Sequence, residues 1–351
     1  MSKLRSGFTT GTCAAAAAKA AAMFLIKGIT LKEVEITLPE GDCVVIPVVY
    51  VRGNGLSAEA AIRKDAGDDP DVTNGMAVVA SVTEIEGSEI VIAASEGVGT
   101  VTKPGLSVAP GEPAVNPVPR RMIREAVREV TDRGMKVTLS IPGGKEIAAK
   151  TFNPRLGIVG GLSILGTSGR VRPFSCPALR TSLKCLLDVA LAGGFKALFF
   201  VPGHIGERAT RRHFRVSPGQ VIEVGNEWGF MLDCAAAQDF EALMVLGHPG
   251  KLAKLAMGAW DTHSSRSKSA VPFVCALARD VFTRPIQETA TVEGLFSALS
   301  VPERKELGDI LAEKICKAIG EHIGGRLEIA VVLVNMQGER IGSSGDLKRW
   351  T

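Results

Sequence analysis

Three histidines lie in polar or glycine-rich segments where an imidazole could move a proton or donate a hydrogen bond. His204 and His248 each follow a short apolar run and a glycine, and His263 lies in the polar segment 261–266. Because histidine titrates near neutral pH, all three are candidate catalytic residues. Helix capping would use the same residue, so both roles stay open. The five histidines show no metal-binding spacing such as His-Glu-x-x-His, and no protein-bound metal is expected.

Glycine-rich turns follow several apolar runs that are typical of buried strands. Glycine lets the backbone approach a ligand closely, and the amides of a following helix favour anionic groups. The glycines proposed to bind a cofactor are Gly97, Gly99, Gly160, Gly161, Gly203 and Gly247. None of these turns matches the dinucleotide fingerprint or the phosphate-binding loop. Tight turns alone would produce the same glycines, but several at one sheet edge favour a ligand-binding cleft.

Arginines cluster at helical spacing in two parts of the chain. One cluster follows His204 at Arg208, Arg211, Arg212 and Arg215, and the other comprises Arg120, Arg121, Arg124 and Arg128. Guanidinium groups bind carboxylates in bidentate pairs, so these clusters suit a small molecule with several carboxylates, although they could also be solvated faces. Nucleic acid is disfavoured because the net charge is only +4 and aromatic residues make up 5%.

The elements that would position these residues change in character near residue 150. The first part shows an alanine-rich helix over 12–27 with Thr12 as a possible N-cap, then strands with alternating valines. A five-proline stretch over 100–119 predicts an ordered loop, followed by a helix over 120–131. From about Phe152, apolar strands alternate with helices, which indicates a parallel sheet. The prediction is an α/β protein with an N-terminal α+β domain over 1–150 and a Rossmann-like, largely parallel α/β domain over 151–351.

The composition indicates where such a protein would work. No apolar run reaches the roughly 18 residues that a membrane helix needs, so no membrane partner is expected. The apolar stretch near the N-terminus is interrupted by Lys19, which disfavours a secretory signal. The seven cysteines are widely spaced and odd in number, which suits a reducing compartment, and a cytoplasmic location is expected. The assembly state stays open, a homo-oligomer included.

Six segments together resemble a known family. They are Gly7–Ala15, Glu96–Gly99, Val101–Leu106, Gly111–Arg120, Phe152–Gly161 and Thr262–Ser264. In this order they are similar to CbiD, the cobalt-precorrin-5B C(1)-methyltransferase family of anaerobic cobalamin biosynthesis. One departure is Asp261, where the family pattern has asparagine. The part of the chain after about residue 280 is less distinctive.

The resemblance implies methyl transfer from S-adenosylmethionine to C1 of cobalt-precorrin-5B, which gives cobalt-precorrin-6A. The cobalt travels in the macrocycle, which is consistent with the lack of a metal motif in the protein. The proposed binding residues for this carboxylate-fringed tetrapyrrole are Thr9, Thr10, Gly11, Thr12, Lys103, Arg120, Arg121, Arg208 and Arg212. Two other functions stay open: a non-catalytic corrinoid carrier or chaperone, and a dinucleotide-dependent oxidoreductase, which the missing glycine fingerprint disfavours.

Overall fold

The computed structural model describes residues 4–350 and divides the chain into two compact units with mixed α/β structure. The first unit ends at Leu179 and the second begins at Arg180, whereas the sequence predicted a domain boundary near residue 150. The intervening segment belongs to the first unit because its short strands pair there. Arg170–Val171, for example, pairs with Gly7–Phe8 in antiparallel register.

The first unit contains thirteen strands and four helices within the described part of the chain, before the helix at the unit boundary. Its strands are β1 Gly7–Phe8, β2 Glu33–Thr37, β3 Cys43–Pro47, β4 Tyr50–Gly53, β5 Ser57–Arg63, β6 Ala77–Ile85, β7 Ile90–Ala94, β8 Gly97–Val98, β9 Thr100–Val101, β10 Gly134–Ser140, β11 Ile158–Val159, β12 Gly161–Leu162 and β13 Arg170–Val171. Its helices are α1 Thr10–Lys27, α2 Pro117–Arg128, α3 Gly144–Ala148 and α4 Asn153–Leu156.

The core of the first unit forms between α1, α2 and a five-stranded sheet of order β4-β5-β6-β10-β7. The sheet is antiparallel except for the parallel pair β10–β7. The alanines of α1 are completely buried, and their small side chains let this helix pack closely against its neighbours. The N-cap is Thr9 and not Thr12, because the Thr9 hydroxyl accepts from the Thr12 amide at 3.2 Å.

Some elements of the first unit differ from the prediction. Helix α2 begins at Pro117, inside the stretch expected to be irregular, because proline is well tolerated in the first turn of a helix. The pattern did not predict β5 or β10. Strand β10 lies between β6 and β7 in the sheet although it follows them in the chain, so local spacing could not reveal its pairing.

The boundary between the units falls within helix α5 Cys176–Ala192, most of which belongs to the second unit. Its strands are β14 Ala197–Val201, β15 Val221–Glu223, β16 Ala242–Gly247, β17 Glu328–Val334 and β18 Arg340–Ser344. Its helices are α6 His204–His213, α7 Trp228–Ala236, α8 Pro249–Ala256, α9 Val271–Val281, α10 Val292–Ser297, α11 Val301–His322 and a short 3₁₀ helix, Lys348–Trp350. From β14 onward the predicted alternation of strands and helices is confirmed, and β18 is an additional strand. The part of the chain between Phe152 and Val171, where the alternation was expected to begin, instead forms α4 and the two-residue strands β11, β12 and β13 of the first unit.

The sheet of the second unit positions the candidate site. Its order is β15-β14-β16-β17-β18, with the first four strands parallel and β18 antiparallel. The chain leaves β14 toward one edge of the sheet, to β15, and then returns to β16 on the other side. Ligands in open parallel sheets bind beyond the carboxyl ends of the strands at such a reversal of strand order. The turns after β14, β15 and β16 therefore lie where such a sheet binds its ligands.

No helix in the described part of the chain, residues 4–350, is long and apolar enough to cross a membrane.

Candidate active site

The threonines at the start of α1 are buried and hydrogen-bonded within the first unit. The Thr10 hydroxyl accepts from the Leu165 amide at 2.9 Å, and the Thr12 hydroxyl donates to the Gly169 carbonyl at 2.7 Å. Thr9 accepts the capping bond from Thr12. The loop over 163–169 thus closes over the N-terminus of this helix, and the hydroxyls predicted to bind substrate hold that loop in place.

Glycines predicted to bind a cofactor in the first unit pack against backbone. Gly97 has a φ of +74°, and a Cβ there would overlap the Ile141 carbonyl. A Cβ on Gly99 would lie 2.5 Å from the Ile158 side chain, and one on Gly161 would overlap Gly97. These three glycines let loops approach each other closely. In contrast, Gly160 has a φ of +85° with open space around its Cβ position.

Gly11, also predicted to bind substrate, is a packing glycine. A Cβ there would lie 2.7 Å from the Pro119 ring, and the Gly11 amide donates to the Leu165 carbonyl at 3.1 Å.

The predicted cations of the first unit differ in how they are used. Arg120 donates to the carbonyls of Val115 and Pro113 at 2.8 and 3.1 Å, and its charge pairs with Glu112. Arg121 is exposed, and its ion pair with Glu125 is long, at 3.8 Å. The aliphatic part of Lys103 lies against Gly157. Arg120 therefore stabilises the proline-rich segment, while Arg121 keeps its guanidinium accessible.

In the second unit, Gly203 and Glu223 lie together at the carboxyl edge of the parallel sheet. Gly203 follows β14 in an extended conformation, φ 163°, and directly precedes α6. Glu223 is the last residue of β15, and its Oε1 lies 3.6 Å from the position of a Gly203 Cβ, with no other atom within 4 Å. The glycine thus leaves room beside a carboxylate. A Cβ on Gly247, the last residue of β16, would instead lie 2.7 Å from the Pro202 ring.

Lys251 brings a positive charge to the same edge from the first turn of α8. Its side chain is half-buried, which lowers the pKa of its ammonium, and the charge of Glu223 partly opposes this shift. Neither Lys251 nor Glu223 was predicted from the sequence. A usable signal was present, since Glu223 follows Gly203 by twenty positions, the spacing at which nucleotide-binding sheets place a ribose-binding acidic residue.

His248 uses both ring nitrogens to hold its surroundings. Nδ1 accepts from the Gly250 amide at 3.0 Å and caps α8, so Nε2 carries the proton and donates to Glu293 at 2.7 Å. The carboxylate of Glu293 lies in the first turn of α10. This arrangement anchors two helices and leaves no ring nitrogen of His248 for a ligand.

His204 and its helix present accessible polar groups. His204 is exposed at the first position of α6 and has no hydrogen-bond partner among residues 4–350. Arg208, one turn further, is also exposed and makes no ion pair in the same described range. Arg212 only reaches the Gln337 carbonyl, at 3.4 Å. These three residues follow the end of β14 in the chain. Apart from the long bond of Arg212, their side chains are not used as hydrogen-bond donors within the described part of the fold.

His263 lies in a loop that is tied to the end of β15. The Thr262 amide donates to the Asn226 carbonyl at 3.2 Å. The Thr262 hydroxyl donates to the Asn226 side-chain oxygen, also at 3.2 Å. Asn226 follows Glu223 by three positions. The loop is thereby held at the same edge as Gly203, Glu223 and His204, and several polar groups of the second unit lie together at this edge.

Within residues 4–350, no group of three or more histidine, cysteine, aspartate or glutamate side chains is arranged to hold a metal ion.

Comparison with known proteins links the whole chain to one family. A family model described as CbiD matches residues 1–173, and a model described as CbiD, C-terminal domain, matches residues 261–345. A protein from Syntrophotalea carbinolica named cobalt-precorrin-5B C(1)-methyltransferase is 52% identical over the full length of both chains. A protein of the same name from Methanocaldococcus jannaschii is 42% identical and covers 97% of this chain and 96% of its own.

A solved structure also matches. The 1.9 Å crystal structure of a cobalamin biosynthesis protein (cbiD) from Archaeoglobus fulgidus is 31% identical, covers 75% of this chain and 83% of that chain, and has a TM-score of 0.40.

Proposed function

This chain belongs to the CbiD family of cobalt-precorrin-5B C(1)-methyltransferases, and we propose that it transfers a methyl group from S-adenosylmethionine to C1 of cobalt-precorrin-5B. The single observation that carries this function is the 52% identity, over the full length of both chains, to a relative of that name. The product expected for this reaction is cobalt-precorrin-6A. The cobalt is part of the substrate and not a cofactor of the protein.

The donor site that we propose is the carboxyl edge of the parallel sheet, used in a Rossmann-like manner. S-adenosylmethionine has a ribose diol and a carboxylate, and it supplies an electrophilic methyl group on sulfur. Glu223 would accept hydrogen bonds from the diol, as acidic residues do at this position in nucleotide-binding sheets. Lys251 would pair with the carboxylate. Gly203 supports this assignment because it leaves space beside Glu223.

The macrocycle site that we propose adjoins this edge along α6. Arg208 and Arg212 would bind its acetate and propionate carboxylates, and Arg121 and Lys103 remain candidates in the first unit. His204 and His263 would orient the ring or move a proton. The conjugated ring can supply an enamine-like carbon nucleophile, so alignment of the two reactants is the main task of the protein. Alignment of this kind contributes up to roughly 7–11 kcal/mol in favourable cases.

We further propose that the chain acts in the cytoplasm, on the basis of its scattered cysteines, and has no nucleic-acid partner. A homo-oligomeric assembly is compatible with this function.

The first experiment is calorimetric titration of the purified chain with S-adenosylhomocysteine, followed by transfer of a labelled methyl group from S-adenosylmethionine to cobalt-precorrin-5B. Saturable one-to-one binding and label at C1 are expected. A corrinoid carrier or chaperone would bind the macrocycle, but it would not transfer label. Donor binding that requires the corrinoid would indicate ordered binding, and the titration is therefore repeated with corrinoid present. Binding of NAD(P)H in place of the donor would favour the oxidoreductase alternative.

A further inference from the structure

Lys254, on α8, is a buried lysine whose hydrogen bonds go to uncharged groups. Only 7% of this residue is exposed. Its ammonium donates to the Thr262 carbonyl at 3.0 Å and to the Ser267 hydroxyl at 2.9 Å, and no carboxylate lies within ion-pair distance among residues 4–350. Buried lysines are rare unless they are paired with an opposite charge, because removing an ammonium from water is costly. A fold that only needed stability would have an apolar side chain here.

The two acceptors of Lys254 lie at either side of His263, in the loop over 261–267. Ser267 continues the connection, because its hydroxyl donates to the His263 carbonyl at 2.9 Å. The amides of Arg266 and Ser267 donate to the same carbonyl at 3.0 Å each. The backbone of His263 is thus fixed to α8 through one buried ammonium.

The ring of His263 is also oriented. Its Nδ1 accepts from the Ser265 amide at 3.2 Å and lies 2.8 Å from the Ser265 hydroxyl. The His263 amide donates to Asp261 at 3.0 Å. Because Nδ1 accepts a backbone hydrogen bond, the proton of the neutral ring belongs on Nε2. The residue is exposed, so this N–H is available to a ligand.

We propose that Lys254 is a positioning residue, which holds the 261–267 loop so that His263 presents its Nε2–H to an oxygen of the bound macrocycle. This inference rests on the proposed function for the identity of the ligand, but the orientation of His263 does not depend on it. The buried charge then has a functional explanation, because it holds a defined hydrogen-bond donor beside the sheet edge. A carboxylate partner for Lys254 would have satisfied the charge without connecting α8 to the backbone around His263.

The test replaces Lys254 with the apolar side chain of similar length, Lys254→Met. Losing two hydrogen bonds is offset by losing a buried charge, so we expect a change in Tm of only a few degrees. The kcat should fall about tenfold or more, with the KM for S-adenosylmethionine unchanged. In spectra of ¹⁵N-labelled protein, the His263 ring should change from a single Nε2–H tautomer to a mixture. A variant with lowered Tm, wild-type kcat and an unchanged His263 tautomer would overturn the proposal.

A double-mutant cycle tests whether Lys254 acts through His263. If it does, Lys254→Met combined with His263→Ala should be no less active than His263→Ala alone. Additive losses would contradict a positioning role. Ser267→Ala removes one of the two acceptors and should give a smaller change in kcat and tautomer, which keeps the test valid if Lys254→Met folds poorly.

The matched control is Lys317→Met, the same substitution at an exposed lysine of α11, and it should leave kcat and the His263 tautomer at wild-type values. A wild-type chain without methyl transfer would refute the proposed function, whereas the tautomer of His263 would still test the role of Lys254.

Discussion

The loops of the first unit and the strand ends of the second unit contain similar glycines and polar residues but use them in opposite ways. In the first unit, the hydroxyl of Thr10 and the guanidinium of Arg120 bond to nearby backbone. In the second unit, His204 and Arg208 are exposed and make no such bonds within residues 4–350. The polar side chains of the first region form hydrogen bonds that hold its loops, whereas His204 and Arg208 of the second region are exposed and can bind a ligand.

This contrast shows that a segment is not necessarily a ligand site because it is rich in the family's sequence motifs, as the first unit is. Gly97 begins β8 and Gly203 follows β14, but a Cβ on Gly97 would overlap the Ile141 carbonyl, and one on Gly203 would meet only Glu223, at 3.6 Å. Substitutions at these glycines and buried polar groups of the first unit should therefore change the free energy of unfolding. Substitutions at the second unit's sheet edge should change ligand binding.

The largest expected effect is that of Gly97→Ala. Its positive φ and the overlap with Ile141 should destabilise the protein by about 5 kcal/mol or more, measured by urea denaturation. Gly160→Ala is the matched control, since φ is again positive but the space is open, and roughly 1–2 kcal/mol is expected. A stable Gly97→Ala protein that loses donor binding would place the ligand in the first unit and contradict the comparison.

A slightly smaller effect is expected at the buried ion pair of Lys64 and Asp71. Lys64 is only 2% exposed and donates to Asp71 at 2.6 Å. Lys64→Met should cost about 3–5 kcal/mol of unfolding free energy because the carboxylate loses its buried partner. The exposed Lys150→Met is the control and should change stability little. Unchanged affinity for S-adenosylhomocysteine is expected in both variants.

The same pair predicts a pH dependence of stability. Burial alone would raise the pKa of Asp71, but hydrogen bonds from Lys64 and Thr73 and the charge of Lys64 outweigh it and hold the pKa below its ordinary value. This contribution to stability is complete above the unfolded pKa, about 4, and is lost as pH falls through the lowered folded value. Wild type should therefore lose stability more steeply than Asp71→Asn below about pH 4, in denaturation series at several pH values.

Glu223→Gln should weaken binding of S-adenosylhomocysteine about 10- to 100-fold, because a hydrogen bond to a charged acceptor contributes roughly 1.5–3 kcal/mol. Its Tm should stay within a few degrees of wild type. Glu86→Gln, at an exposed turn of the first unit, is the matched control and should bind normally. If calorimetry shows that Glu223→Gln binds S-adenosylhomocysteine with wild-type affinity, the end of β15 is not part of the donor site.

The smallest effect is expected for Arg208→Ala, an exposed cation of α6. The KM for the corrinoid should rise roughly threefold to fivefold, as for a single solvent-exposed ion pair, with little change in the KM for S-adenosylmethionine. Steady-state kinetics with each substrate varied in turn measures both constants. Kinetics equal to wild type for both substrates would show that Arg208 does not bind the macrocycle.

Much of the local structure was predictable from the sequence, because burial leaves a periodic pattern. The runs that form β14 and β16 are almost entirely buried, and their prediction as strands is confirmed. Glu223 and Lys251 were missed at the candidate site, since a single charged residue at the end of a short element has no periodicity. Their significance comes from the fold, which brings Glu223 at the end of β15 and Lys251 in the first turn of α8 to the same edge of the sheet.

The sequence by itself determined the family, the main helices and the parallel character of the second sheet, because these depend on neighbouring residues and on segment order. Only the tertiary structure decided which polar groups are available. The Thr10 hydroxyl bonds to a residue 155 positions away, and Lys254 is buried beneath a loop that begins seven positions later. Whether a polar side chain serves the fold or a ligand depends on which hydrogen-bond partners folding brings within about 3 Å of it.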